Sequence, residues 1–254
     1  MIRLANVSKI YDGKYALRDI NLNIKKGETL AVIGGSGSGK STLLQLLIGL
    51  IHPDGGEIYI GGQETTRLSE KELDRVRLNM GMVFQYSALF DSMTVGDNVA
   101  FGLREHKKLP EPEIQRIVQE KLALVGLYGV ENKLPGELSG GMKKRVGLAR
   151  AIAIEPEIIF YDEPSSGLDP ITTAKIDELI VDMQHKLGVT SVVVTHDMAS
   201  ACRIADRIAM IYEGELIAVD TVPRFQQIQD ERVQAFFKTL RTHKEREERE
   251  EQRA

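Results

Sequence analysis

Cysteine is nearly missing from this chain: Cys202 stands alone. An internal disulfide is excluded, and a single thiol suits a reducing compartment. Cys202 falls in a helical-looking stretch, residues 198–204, where a small packed hydrophobe is the natural reading. Long apolar runs are missing too. The longest candidate, residues 43–51, falls far short of the ~20 residues a membrane helix needs and is broken by Gln45 and Gly49. No basic-plus-apolar leader precedes the strand-like residues from Ile2, so neither a signal peptide nor a transit peptide is predicted. A surplus of basic residues is also lacking. The net charge of −4 argues against a general nucleic-acid surface, and no nucleic-acid partner is expected. There is no internal repeat. These absences predict a soluble chain that reaches a membrane only through a partner.

What is present is a mixed α/β pattern, long enough at 254 residues to bury a sizeable core. Residues 2–28 read as short antiparallel strands, broken at Asp12-Gly13 and closed by Lys26-Gly27. Residues 29–33 form a compact apolar run entering a Gly/Ser loop and then a helix over 40–50, a strand–loop–helix unit. Further strands are predicted at 57–60, 82–85, 158–161, 191–195, 207–211 and 216–219. Between them, residues 86–155 lose strand character. Ile114, Ile117, Val118, Leu122 and Val125 recur at helical spacing and predict an inserted helical lobe. The apolar residues Phe225, Ile228, Val233, Phe236, Phe237 and Leu240 predict an amphipathic helical segment that docks on the core or on a second subunit. The tail, 241–254, balances five basic against five acidic residues and reads as a solvated helix or frayed end.

Three constellations carry chemistry. Gly34-Gly35-Ser36-Gly37-Ser38-Gly39-Lys40-Ser41 fits the P-loop pattern and leads into Thr42. Its glycines let backbone N–H groups converge on phosphate oxygens, reinforced by the positive end of the following helix. Lys40 then reaches the β and γ phosphates, and Ser41 becomes a ligand for Mg²⁺. An apolar run ending in Asp162-Glu163 places two carboxylates at a strand end, where open α/β sheets bind ligands. Asp162 suits the Mg²⁺ shell; Glu163, facing the other way along the pleat, suits polarising a water. Finally, Leu138-Ser139-Gly140-Gly141-Met142 opens a helix running to about Ile154. Ser139 is a good N-cap, and the glycines leave amides free as a second anion cradle.

Together, in order, Tyr11, the P-loop, Gln85, Leu138-Ser139-Gly140-Gly141, Asp162-Glu163, Ser166-Gly167-Leu168-Asp169 and His196 resemble the ATP-binding-cassette (ABC) ATPases over about residues 1–220. The resemblance implies a P-loop ABC core with an N-terminal antiparallel β subdomain and the helical lobe inserted at about 86–155, followed by a helical extension and charged tail over 221–254. It implies ATP and Mg²⁺ as ligands. Tyr11 would stack on adenine, Gln85 would serve as the Q-loop and a metal contact, and His196 as the γ-phosphate switch. Ser139, Gly140 and Gly141 would face the ATP of a second copy in a homodimer, with Asp169 coupling the two sites. Glu163, His196 and Gln85 are the expected catalytic set.

Two residues depart from the family pattern: Met142 replaces the usual Gln, and Gly167 stands where Ala is common. The Met-ended motif with its basic residues is similar to the ATPases of Mla-type lipid transporters. So are Ala88-Leu89-Phe90 after Gln85, Asn98-Val99-Ala100-Phe101, Leu103-Arg104-Glu105-His106 and Asp169-Pro170-Ile171-Thr172. That resemblance implies an integral membrane permease and an MCE-type lipid-binding protein as partners. It also implies a peripheral position on the cytoplasmic face of the inner membrane, or the stromal side of the inner envelope for a plastid protein. Residues 86–101 would receive the permease, with Leu89, Phe90, Met93 and Val95 either lining the groove or packing within the lobe. The alternatives are an amino-acid importer ATPase and a non-transport cassette acting on ribosomes or DNA.

Overall fold

The computed structural model describes residues 1–237. They build two sheets. In one, β1 (Ile2–Tyr11) pairs antiparallel with β2 (Lys14–Ile24) and β4 (Gly55–Ile60), and a short β5 (Gln63–Glu64) extends the edge. Where the sequence suggested separate short strands, the chain runs as two long ones. The interruption in the pattern at Asn6 is a register shift within β1, with Asn6 in the left-handed region at φ 51°.

The second sheet has strand order β10-β9-β3-β8-β7-β6. Its strands are β3 (Thr29–Ile33), β6 (Met80–Val83), β7 (Ile158–Asp162), β8 (Thr190–Thr195), β9 (Arg207–Tyr212) and β10 (Glu215–Thr221). All neighbours pair in parallel except the β9–β10 hairpin at the edge. Unbroken apolar runs mark strands covered on both faces, and β3, β7 and β8 are buried almost end to end. β6 lies two residues earlier than the sequence suggested. Gln85 therefore leaves the strand and sits in the loop beyond it.

Helix α1 (Lys40–Ile48) stops at Gly49, whose left-handed backbone (φ 75°) turns its amide back onto Gln45 and Leu46 carbonyls. It packs with one face of the parallel sheet and the inner face of the antiparallel sheet in a single apolar core. After α2 (Glu70–Arg77) and β6, the chain inserts α3 (Val95–His106), α4 (Glu111–Leu124) and α5 (Gly140–Ala153) before returning as β7. These helices share a second core with α6 (Pro170–Leu187) and the other side of the sheet. α6 opens on an Asp169 N-cap followed by Pro170 and closes on Gly188, the expected punctuation at both ends.

A third, smaller core forms where α7 (Met198–Ile204) and α8 (Val222–Phe225) meet β3 and β9. Here the expected single helix from Phe225 is replaced by two pieces. Asp230 explains the break: its side chain accepts the Arg232 N–H (2.8 Å) and its carbonyl accepts from Gln234, starting a new helix over residues 231–237. Phe225 and Val233 are fully buried against Met198, Ala201, Ile208 and Met210, so the segment docks on its own core. Leu240 and the charged tail lie outside the described residues. Phe225→Ala is expected to cost about 3–5 kcal/mol of stability, read as a lowered denaturant midpoint. An unchanged midpoint would mean that this segment is not part of the folded core.

Candidate nucleotide site

Because the parallel strands run the same way, their carboxyl ends share one edge. β3 pairs Ile33 with Thr195 of β8; β8 pairs Val194 with Asp162 of β7; β7 pairs Tyr161 with Val83 of β6. The loops that follow carry the P-loop, His196, Glu163 and Gln85. Register alone brings together most residues singled out in the sequence.

The P-loop is wedged tightly. A side chain on Gly34 would lie 2.3 Å from the Ile211 carbonyl, and one on Gly39 (φ 112°) 2.5 Å from the Ala16 carbonyl. The β9–β10 turn braces it: Gly214 N–H donates to the Ser38 carbonyl (3.0 Å). The Ser38 hydroxyl is buried without a hydrogen-bond partner. Lys40, also buried, donates from Nζ to the Gly34 and Gly35 carbonyls at 2.8 Å each. Burial pushes its pKa down, partly offset by Glu163 and Asp162. A buried ammonium held by carbonyls and a buried hydroxyl without a partner are groups that a bound anion would satisfy. Ser41 is exposed and Thr42 half-buried in the first turn of α1.

Glu163 follows the last residue of β7 with φ 46°, so a left-handed turn aims its side chain rather than the pleat alternation expected from sequence. Its amide donates to the Val194 carbonyl (2.9 Å). Its Oε2 lies 2.9 Å from His196 Nδ1 and accepts from the Thr195 hydroxyl (3.3 Å). Asp162 is held above the usual carboxylate range by burial and then by Glu163. Two close, half-buried carboxylates favour a cation between them and the phosphates. Gln85 Nε2 donates to the Ser166 hydroxyl (3.3 Å), joining the loop after β6 to the one after β7.

Tyr11 is set apart, at the hairpin end of β1, nearly half exposed, with Lys9 Nζ 5.4 Å from its ring centre. The Ser139 motif is also apart. Ser139 caps α5, accepting from the Met142 amide at 3.3 Å. Ser139, Gly140 and Gly141 line a cavity of about 350 Å³ shared with Leu168, Asp169 and Lys175, and no P-loop residue lines it. Asp169 is fixed by capping α6, its carboxylate accepting from the Thr172 amide (3.0 Å) and hydroxyl (2.6 Å).

Both departures from the family pattern have local reasons. The Met142 side chain packs on the helical core, and Gly167 adopts a left-handed φ of 78° that favours glycine. The expected apolar groove needs correction. Val95 is fully buried in the lobe and lines nothing; Tyr86, Phe90 and Phe101 are the exposed rings, the last two in tilted contact with centroids 4.9 Å apart.

Sequence reasoning missed Lys144 and Arg150 on α5. Lys144 Nζ donates to the Gln85 carbonyl and, at 3.4 Å, to that of Glu163. Arg150 donates to the Ser87 and Ala88 carbonyls at 2.7 and 2.6 Å. Lys143 and Arg145 beside Lys144 look the same in sequence, and burial separates Lys144 from them.

Residues 17–166 match the ABC transporter family model, and the chain belongs to the ABC transporter family. Its fold is that of the ABC ATPase cassette. It is 37% identical to the ATP-binding cassette MJ0796, solved as a dimer bound to ADP and Pi, over 87% of this chain and 99% of that one, with a TM-score of 0.81. It is 44% identical to MlaF of Haemophilus influenzae, an intermembrane phospholipid transport system ATP-binding protein, over 94% of this chain and 90% of that one. It is 46% identical over 85% of its length to mkl of Mycobacterium tuberculosis, a probable ribonucleotide transport ATP-binding protein, and spans 60% of that relative. Among the described residues no helix is long and apolar enough to cross a membrane.

Gly39→Ala and Gly37→Ala separate steric wedging from backbone preference. Gly37 has φ 74° but open space around it. Gly37→Ala is expected to cost about 1 kcal/mol, and Gly39→Ala about 3 kcal/mol or more, as relative thermal unfolding shifts. Equal shifts would contradict the wedged loop.

Proposed function

We propose that this chain is the ATP-hydrolysing subunit of a membrane transporter, working as a homodimer in which each ATP is held by the P-loop of one copy and the Ser139 motif of the other. One observation carries this reading: the two anion cradles of a single chain lie apart, the P-loop with a buried Ser38 hydroxyl left without a partner and the Ser139 motif lining a cavity that no P-loop residue lines. A C₂ dimer can bring each cradle against the other copy's partner cradle, producing two equivalent sites. The MJ0796 cassette, dimeric and bound to ADP and Pi, supports a dimer.

In this reading the P-loop amides and Lys40 neutralise the β and γ phosphates. Tyr11 stacks on adenine. Glu163 polarises the attacking water, its Oε2 held by the Thr195 hydroxyl and lying beside His196 Nδ1. His196 and Gln85 sense the γ phosphate, and Ser139 with the Gly140 and Gly141 amides adds charge stabilisation from the second copy, next to Asp169. Ser41, Asp162 and Gln85 would hold Mg²⁺. The set fits: hard oxygen donors with one carboxylate, leaving the remaining positions to phosphate and water. The ion would neutralise developing phosphate charge. Catalysis of this kind is positioning and electrostatics, not covalent chemistry by the protein.

For the cargo we favour phospholipid, moved with an integral membrane permease and an MCE-type protein, the subunit lying peripherally on the cytoplasmic face. The similarity to MlaF over nearly the whole chain supports this, and the motifs around Met142 and Phe90 point the same way. Tyr86, Phe90 and Phe101 offer the permease an aromatic surface.

Glu163→Gln is expected to bind ATP with near-normal affinity while turnover falls by about 10²-fold or more, leaving a long-lived dimer. Purified from its own membranes, the same variant is expected to retain a permease and bound phospholipid. Normal turnover would remove Glu163 from its role. A permease that carries no phospholipid would remove the lipid reading.

A further inference from the structure

We propose that Lys144 is a positioning residue: one buried ammonium ties the helix that begins at Ser139 to the backbones of Gln85 and Glu163, and so sets where those two side chains point. The inference rests on the reading of the site given above.

Lys144 is buried on α5, little more than one turn from the Ser139 end. Among the described residues no carboxylate forms an ion pair with it; its hydrogen bonds go to main-chain carbonyls, those of Gln85 and Glu163. Burial works against the ammonium, partly offset by the nearby charges of Glu163 and Asp162, and an apolar side chain of similar length would fill the space without that desolvation cost. The charge therefore needs a use beyond packing. The two carbonyls belong to loops that follow adjacent parallel strands, β6 and β7; the side chain of Gln85 reaches Ser166 and that of Glu163 reaches Thr195 and His196.

The stripe continues along α5 at helical spacing. Gly147 lies against Ser87, within ordinary contact of any added carbon (3.7 Å). Arg150 then clamps the Ser87 and Ala88 carbonyls. Ser87 and Ala88 are left-handed without being glycine (φ 62° and 43°), a conformation that persists only when its surroundings impose it. The loop from Gln85 to Ala88 is thus fastened to α5, with Lys144 at the catalytic end of the fastening. When a second subunit's nucleotide engages the Ser139 end of α5, the displacement reaches Gln85 and Glu163 through this side chain.

The test uses the full chain with Lys144→Met, Lys144→Arg and, as reference, Glu163→Gln. Lys144→Met is expected to melt no lower than the parent and to keep KM for ATP within about twofold, while kcat falls roughly 10- to 100-fold. Amide hydrogen exchange over residues 85–88 is expected to rise several-fold. Lys144→Arg, which keeps charge and donors, should recover more of kcat and protection than Lys144→Met. Should Lys144→Met not fold, Lys144→Gln is read in the same way. Unchanged kcat and exchange in the Met variant would overturn the proposal. So would a fall in kcat matched by equal loss of ATP affinity, or an Arg variant no better than Met. If Glu163→Gln turns over normally, the reading of the whole site fails instead. If only Lys144→Met does, this inference alone is lost.

Discussion

Everything at the phosphate site depends on the hydrogen-bonded register of β3, β8, β7 and β6. Parallel pairing forces their carboxyl ends onto one edge, and each end feeds a loop with a different job. A slip of one residue would turn each strand's side chains to the opposite face and separate Glu163 from His196. Burial on both faces holds that register: the antiparallel sheet and α1 cover one side, and α6 with the inserted helices the other.

That edge concentrates charge that the chain does not fully neutralise by itself. Lys40 and Lys144 are each buried and held by main-chain carbonyls, and the charges of Glu163 and Asp162 act on both. The arrangement suits a guest that brings both signs, a polyphosphate with its divalent cation. The Ser139 cradle is complementary in charge yet faces elsewhere, leaving the proposed site half built in one copy. In the proposed dimer nucleotide would act as cement between subunits, because each cradle supplies only part of its contacts.

Much of this could be read without coordinates. The P-loop glycines, the unbroken apolar runs of β3, β7 and β8, and the Ser139 N-cap each have a local physical cause, and each fell where expected. Features decided by tertiary context did not. Val95 and Phe90 are both apolar in a stretch with no clear period, and only packing decides that one is buried and the other exposed. Lys144 sits among basic neighbours that look alike until burial singles it out. The left-handed turn at Glu163 has no glycine to announce it. The short β6, with Gly81 against the Ala151 carbonyl, gave too little pattern to fix its ends. Asp230, by contrast, was a readable N-cap overshadowed by the apolar spacing around it.

The central claim is that nucleotide is consumed only between two copies. Mixing a Lys40→Ala subunit with a Ser139→Arg subunit tests it directly. Each variant alone lacks one cradle in every site, whereas a mixed dimer holds one site with both cradles intact. The account requires the mixture to hydrolyse ATP well above the sum of the separate variants. A mixture no more active than its parts, despite dimer formation, or a Ser139→Arg protein active by itself, would contradict it.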